Sequence, residues 1–265
     1  MSRYSLFVIS VLALSIPIFI PIFQFGFIYK LWKQYDVDVS KEHCSCSCWD
    51  TIFKAGYETG VAGYKHVYFN ATQNTMIMWI SMCLCFIIFY EALKFVLYCI
   101  YKGTARLKFV ILFVSVIYPH YYAWWVYFNY VNDDYYDQFW HQLIFTTTEG
   151  ISTLLVLSLI CSKKSVISPQ KILIIISIAT FHILASGWDQ FVENVLKQQG
   201  QLHQILRDIG FMIPDLLHVY LPWTELKKFA RIHRKVPPSH LITNTDATFS
   251  LCGIAALWLL SLIIK

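Results

Sequence analysis

The sequence has few charged residues for its length. Only 14% of its 265 residues are Asp, Glu, Lys or Arg, whereas 57% are hydrophobic. These proportions exclude a single water-soluble globular domain, because the apolar side chains are too many for one core and a bilayer must be part of the solvent. The charges form no long Lys/Arg tract and sum to only +5, so nucleic acid is not an expected partner.

The sequence also lacks a recognisable enzyme signature and a nucleotide-binding loop. It has instead hydrophobic runs of roughly 17 to 25 residues, the length that a helix needs to cross the hydrocarbon. These runs predict an all-α fold, a polytopic transmembrane helical bundle of about seven spans in one membrane domain over residues 1–265. The predicted spans are residues 5–29, 76–101, 109–130, 139–160, 172–188, 205–223 and 247–264.

The first run resembles a secretory signal, since Ala13, Leu14 and Ser15 form a weak cleavage site. The run continues past this site through Pro17 and Pro21, which is longer than an ordinary signal core. We therefore expect a signal anchor that is retained.

Loops rich in Lys and Arg alternate along the chain with less basic loops, and the basic loops of membrane proteins tend to lie on the cytoplasmic side. The loop after the third span is acidic, with Asp133, Asp134 and Asp137. The alternation predicts a cytosolic N-terminus and a lumenal C-terminus. The basic loops follow the second, fourth and sixth spans and contain Lys102, Arg106 and Lys108; Lys163, Lys164 and Lys171; and Lys227, Lys228, Arg231, Arg234 and Lys235. The last five are predicted to contact anionic lipid headgroups.

The predicted lumenal loop, residues 30–75, contains two candidate modification sites. Asn70 begins a glycosylation sequon, which would make the chain a glycoprotein. Cys44, Cys46 and Cys48 follow His43. Two of these thiols could form a disulfide, the three thiols and the imidazole could bind zinc, or, with an inverted topology, the thiols could be palmitoylated.

Ionisable residues occur inside the third to sixth spans, where they are costly unless they face a bundle interior or a wet cavity. At about 100° per residue, they form polar stripes on the fourth, fifth and sixth helices. The stripes predict a polar cavity within the membrane. Its candidate residues are His120, His141, Glu149, His182, Asp189, Asp208, Asp215 and His218.

Three interpretations of these stripes remain open. Hydrogen bonds and ion pairs between helices could fix the packing of the bundle. His182, Asp215 and His218 could bind a metal that activates water to hydrolyse a lipid, although the last span lacks the histidine pair of an alkaline ceramidase. The acids and histidines could instead relay protons in a transporter or channel.

Two segments, HILASGWDQF (residues 182–191) and HQILRDIGFMIPD (residues 203–215), are similar to an uncharacterised multipass membrane family of invertebrates. The resemblance implies that the chain accompanies a bridge-like lipid-transfer protein in the endoplasmic reticulum membrane and helps lipids to enter the bridge. We therefore expect a non-catalytic auxiliary subunit of a heteromeric complex, with membrane proteins and membrane lipids as partners. We expect a bound lipid and no other cofactor. The plasma membrane is the alternative to the endoplasmic reticulum as the location.

Overall fold

The computed structural model describes residues 3–23, 73–133, 139–161, 167–200, 202–232 and 241–263. Within these residues the chain is helical and has no β-strand, which confirms the all-α prediction. The helices are Arg3–Phe23 (α1), Gln73–Tyr101 (α2), Leu107–Ser115 (α3), Ile117–Asp133 (α4), Phe139–Ile160 (α5), Pro169–Ser186 (α6), the π-helix Gly187–Leu196, Leu202–Ile232 (α7) and Asn244–Ile263 (α8).

In the described residues, five helical stretches are long and apolar enough to cross a membrane, which is compatible with an integral membrane protein. They are Ile80–Tyr101, Leu107–Tyr127, Phe139–Ile160, Pro169–Ser186 and Asn244–Ile263. The apolar part of α1 is shorter, Tyr4–Pro17, and α7 is less apolar because it contains residues such as Asp208 and Asp215. The larger number of spans and their direction stay predictions.

The third predicted span is divided into two helices. α3 ends at Ser115 and α4 begins at Ile117, with Val116 between them. Pro119 has no N–H with which to bond the carbonyl of Ser115, so an unbroken α-helix would lose a hydrogen bond here. The chain interrupts the helix one turn before the proline, and the Ser115 hydroxyl donates to the Leu112 carbonyl at 2.8 Å.

The end of α5 is fixed by the loop that follows α2. The last carbonyls of a helix have no partner within it. Here the Arg106 guanidinium donates to the Leu159 carbonyl at 2.6 Å, and the Arg106 backbone N–H donates to the Ile160 carbonyl at 2.8 Å. An isolated antiparallel bridge between Ala105 and Cys161 continues this contact. The positive charge of Arg106 also lies at the helix end that favours a cation.

The fifth predicted span, α6, begins with a capping residue and a proline that favour the start of a helix, and it continues directly into a π-helix. Ser168 caps α6, its hydroxyl accepting from the Lys171 backbone N–H at 3.4 Å, and Pro169 occupies the first helical turn. At Gly187 the backbone widens into the π-helix. Gly200 then lies so close to this helix that an added Cβ would be 2.6 Å from the Asn194 Cβ, so the turn into α7 requires glycine.

The chain forms two compact units. Unit 1 comprises Met1–Lys94 and Ala123–Phe139, and unit 2 comprises Phe95–Tyr122 and Trp140–Lys265. In unit 1, α1 and α2 line an apolar groove of about 350 Å³ with Phe7, Ser10, Val11, Leu14, Phe86, Ile87 and Tyr90. The prediction of one membrane domain stays a prediction, and the candidate residues described below all lie in unit 2.

In unit 2, α6 packs against α7 and α8, and α3 packs against α7. Its fully buried side chains include Phe109, Leu112, Leu159, Ile172 and Phe181. α8 is far less covered. Ser261 is its one buried residue within Asn244–Ile263, and its contact with α6 includes a hydrogen bond between the Ser177 and Ser250 hydroxyls.

An aromatic group holds the beginning of α4 against α7. The Tyr118 and Tyr122 rings lie 5.8 and 5.1 Å from the Phe211 ring. Gly210 is next to this group, and a Cβ added to it would be 2.7 Å from the Tyr118 Cε1. The two helices therefore approach each other more closely than a side chain at position 210 permits.

Several predicted features lie outside the described residues. The predicted lumenal loop, residues 30–75, is described only from Gln73, where α2 begins. Outside them lie Cys44, Cys46, Cys48, Asn70, Asp134, Asp137, Lys163, Lys164, Arg234 and Lys235. The modification sites and part of the charge alternation therefore stay predictions.

Candidate functional site

A histidine between two carboxylates forms the centre of the candidate site. His182 Nδ1 lies 3.4 Å from Glu149 Oε2 and 3.3 Å from Asp215 Oδ1. α5, α6 and α7 contribute one residue each, and the potential ligand atoms of the three residues all lie within 4.8 Å of one another. His182 and Asp215 are buried, and the Glu149 side chain is only 14% exposed. We call these three residues the carboxylate–histidine cluster.

Aromatic rings keep the His182 imidazole away from lipid and water. The centroids of the Phe145 and Phe181 rings lie 5.2 and 5.3 Å from the centroid of the imidazole. Phe181 is fully buried, so it forms a wall of the site that does not open to the surface. Such an apolar shell makes any unpaired charge in the cluster costly.

Thr148 is the hydrogen-bond partner of His182 Nε2. The Thr148 hydroxyl lies 2.8 Å from the Ile144 carbonyl oxygen and 2.8 Å from His182 Nε2. A hydroxyl has one hydrogen to donate, and a carbonyl can only accept. Two arrangements satisfy these contacts: the hydroxyl donates to the carbonyl and accepts from the Nε2–H of His182, or it donates to Nε2 and the proton of the imidazole lies on Nδ1. His182 Nδ1 therefore faces the two carboxylates either with a proton or, in the first arrangement, with a lone pair, and a lone pair there requires a cation.

His218 lies one helical turn after Asp215 in α7 and is only 3% exposed. Its Nδ1 is 2.8 Å from the Pro214 carbonyl oxygen, so this nitrogen carries the proton and donates. Its Nε2 is buried and has no hydrogen-bond partner among the described residues. A buried polar atom in this state costs about 1–3 kcal/mol. His218 interacts electrostatically with both Glu149 and Asp215.

His120 lies at the edge of the same site. Its Nε2 is 2.8 Å from the Thr153 hydroxyl oxygen, and it interacts electrostatically with Glu149. α4 therefore adds a third imidazole, after those of His182 and His218. Hydroxyls within spans often hydrogen-bond to a neighbouring helix, as Thr148 and Thr153 do here.

The remaining predicted cavity residues do not join the cluster. The His141 ring packs on Phe145, with centroids 5.0 Å apart. Asp208 is buried near the beginning of α7, where its carboxylate accepts from Arg207 Nε and Asn194 Nδ2, both at 2.7 Å. The side chain of Asp189 lies outside the described part of the chain. A single cavity that includes all these residues stays a prediction.

The structure alters the composition of the predicted ligand set. One of the three open interpretations of the sequence took His182, Asp215 and His218 as metal ligands, whereas the three residues whose ligand atoms lie within 4.8 Å of one another are Glu149, His182 and Asp215. Thr148 was not foreseen. The available signal was a hydroxyl one position before Glu149 in an apolar run, where it can support a histidine of the next helix.

A basic groove lies at the C-terminal end of α7. It has a volume of about 540 Å³, and its lining residues are Lys108, Thr224, Lys227, Lys228, Arg231 and Ile232. Lys108 Nζ lies 3.0 Å from Glu225 Oε1 and 2.9 Å from the Thr224 hydroxyl, which fixes α3 against α7 at this point. Lys227 Nζ lies 5.6 Å from the Trp223 ring. The sequence analysis did not group Lys108 with the predicted lipid-contacting residues, because Lys108 lies in a distant part of the sequence, at the beginning of α3.

One family model matches the sequence, over residues 6–264, and its description is a family of unknown function, DUF8801. Comparison with curated proteins and comparison with solved structures find no match. The match extends over every helix described above except the first three residues of α1, and it includes the three helices that carry the carboxylate–histidine cluster. The chain therefore belongs to the family of unknown function DUF8801.

Proposed function

We propose that this chain is a non-catalytic auxiliary subunit of a heteromeric membrane complex that contacts anionic lipid and assists its transfer. In this proposal the chain crosses the endoplasmic reticulum membrane about seven times, with its N-terminus in the cytosol and its C-terminus in the lumen. The basic groove is the observation that carries the proposal.

The chemistry of the groove suits an anionic lipid. Lys227, Lys228 and Arg231 are exposed cations within the last turns of α7, and Lys108 faces them from α3. Ile232, 67% exposed, supplies an apolar surface beside these charges. A phospholipid needs both features, because its headgroup is charged and its acyl chains are apolar. In the predicted orientation the groove faces the cytosolic leaflet, which is the anionic one.

The exposure of α8 supports membership of a larger assembly. Only 6% of its membrane-length stretch is buried within the chain, compared with 33% for α6. The remaining surface is left for lipid or for the helices of another membrane protein. The implied bridge-like lipid-transfer partner would provide such helices, and the chain has no enzyme signature with which to act alone.

Lipid binding is tested with three substitutions made together, Lys227→Ala, Lys228→Ala and Arg231→Ala. At about 1 kcal/mol per cation near a charged surface, they should weaken binding of phosphatidylserine by about 3 kcal/mol, or roughly 100-fold. Phosphatidylcholine binding should change little. Native mass spectrometry of detergent-purified protein with each lipid measures both.

The matched control removes the same charge elsewhere, with Lys94→Ala, Lys102→Ala and Lys197→Ala together. These lysines lie outside the basic groove, so this variant should keep its preference for phosphatidylserine. An equal loss in the two variants would show that net charge, rather than the groove, selects the lipid.

Assembly is tested by purification from native membranes in a mild detergent. A second polypeptide should copurify in constant stoichiometry. A monodisperse monomer would contradict the proposed subunit role, and turnover of a lipid substrate by that monomer would favour the hydrolase alternative.

A further inference from the structure

We infer that Glu149, His182, Asp215 and His218 form a closed binding site for a divalent transition-metal ion, with zinc the best chemical match. This site is independent of the basic groove, so the lipid proposal and the metal proposal can fail separately. The inference rests on interatomic distances, on proton placement, on an unpartnered buried nitrogen and on net charge.

The distances fit ligands better than hydrogen bonds. Hydrogen bonds between an ionised nitrogen and a carboxylate are usually about 2.7–2.9 Å long, whereas His182 Nδ1 lies 3.3 and 3.4 Å from the oxygens of Asp215 and Glu149. Zinc binds nitrogen and oxygen at about 2.0–2.1 Å, so two ligand atoms at the tetrahedral angle lie about 3.3–3.4 Å apart. The observed separations correspond to two edges of such a tetrahedron.

Proton placement leaves a position for a cation. When His182 Nε2–H donates to Thr148, the lone pair of Nδ1 faces the two carboxylates. A second proton on Nδ1 would be shared between two oxygens at similar distances, and neither bond would be short. A metal ion would accept the Nδ1 lone pair and bind both oxygens at once. Thr148 would then provide the hydrogen bond that commonly orients a ligating imidazole.

His218 would supply the fourth ligand by a shift of its side chain, since its ligand atoms are not in the group of three that lie within 4.8 Å of one another. Its Nδ1–H donates to the Pro214 carbonyl, which leaves the lone pair on Nε2. That nitrogen is buried without a hydrogen-bond partner in the described part of the chain, and His218 interacts electrostatically with both carboxylates. Both histidines are thus held through the ring nitrogen that does not bind metal, an arrangement typical of metal sites.

The charges balance at this site. Two carboxylates and two neutral imidazoles around a divalent cation sum to zero, which lowers the cost of burial within an apolar bundle. Four protein ligands also leave no open position for water, as in structural rather than catalytic zinc sites. The ion would therefore join α5, α6 and α7 and stabilise their packing.

The experiment measures zinc in detergent-purified full-length chain carrying Cys44→Ser, Cys46→Ser and Cys48→Ser, because those thiols are alternative ligands. Mass spectrometry of the metal should find about one zinc per chain, as expected for one tetrahedral site. Replacement by Co²⁺ should give the visible absorption spectrum of a tetrahedral site.

In that background, Asp215→Asn or His218→Gln should lower the affinity for Zn²⁺ at least about 100-fold, since loss of an outer-shell partner alone costs about 10–100-fold. Thr148→Val should cost about 10–100-fold through the orientation of His182. The matched control is His141→Gln, another histidine of unit 2 whose ring packs on Phe145, and it should bind zinc like the parent.

Two results would overturn the inference. One is a monodisperse parent chain that binds neither Zn²⁺ nor Co²⁺, which would leave an imidazolium between two carboxylates. The other is equal zinc content in the parent, Asp215→Asn and His218→Gln, which would place the ion elsewhere. If Asp215→Asn does not fold, the zinc affinity of Thr148→Val and the cobalt spectrum of the parent test the inference in its place.

Discussion

Replacing Gly210 with alanine tests how closely α4 and α7 pack. The new Cβ would lie 2.7 Å from Tyr118 Cε1 and 2.9 Å from Tyr118 Cδ1, distances at which one of the helices or the ring must move. The ring is held by Tyr122 and Phe211, whose centroids are 6.2 and 5.8 Å from its own. Relief by rotation of Tyr118 alone is therefore restricted.

Two opposing contributions set the magnitude. Overpacking of a well-packed interior costs about 1–3 kcal/mol, and replacing a helical glycine with alanine gains about 1 kcal/mol of helix propensity. Gly150→Ala in α5 gains the propensity without the clash, because nothing lies within 4 Å of its added Cβ. The propensity gain is common to both variants, so their difference isolates the clash, and Gly210→Ala should be less stable than Gly150→Ala by about 1–3 kcal/mol.

The assay is unfolding in mixed micelles with increasing denaturing detergent, followed by tryptophan fluorescence. A double substitution, Gly210→Ala with Tyr118→Leu, should recover part of the loss, because the leucine lacks the ring atoms that the new methyl group meets. Equal stability of Gly210→Ala and Gly150→Ala would refute the close contact between α4 and α7.

Two further pairs of variants compare buried with exposed positions by the same assay. Asp208→Ala leaves the Arg207 charge without its 2.7 Å partner and should cost about 1–3 kcal/mol, whereas Glu193→Ala removes an exposed ion pair and should cost less than about 1 kcal/mol. Equal costs would contradict the burial of the first pair. Phe181→Ala, at a fully buried position, should cost about 3–5 kcal/mol. Leu184→Ala, 51% exposed on the same helix, should change stability much less, and a similar loss at both would contradict the assigned faces of α6.

The length of the hydrophobic runs was sufficient to predict most helices. Residues 139–160 are both a predicted span and the observed α5, because an apolar run bounded by polar residues has few other ways to satisfy its backbone. Features that depend on single backbone hydrogen bonds were not predicted. The break at Val116, for example, results from one missing N–H at Pro119.

Helical periodicity predicted a shared face for the polar residues but not their partners. The stripes on α5, α6 and α7 included Glu149, His182 and Asp215, and the structure places these three together. Periodicity could not determine that His141 would pack on an aromatic ring, since that depends on how far each helix slides along its neighbour. For the same reason the sequence did not connect Lys108 with the end of α7, because only tertiary packing brings α3 and the end of α7 together.

The position of the π-helix has a consequence for how the chain fits the thickness of a bilayer. α6 has 18 residues and rises about 27 Å, slightly less than the hydrocarbon thickness of about 30 Å. With α6 crossing the bilayer from Pro169, as its length and composition allow, the wider backbone would begin at the level of the headgroups, near the exposed Gln190 and Lys197–Glu193 pair. At that level water can bond any carbonyl that the π geometry displaces, so no unpaired backbone group has to lie among acyl chains.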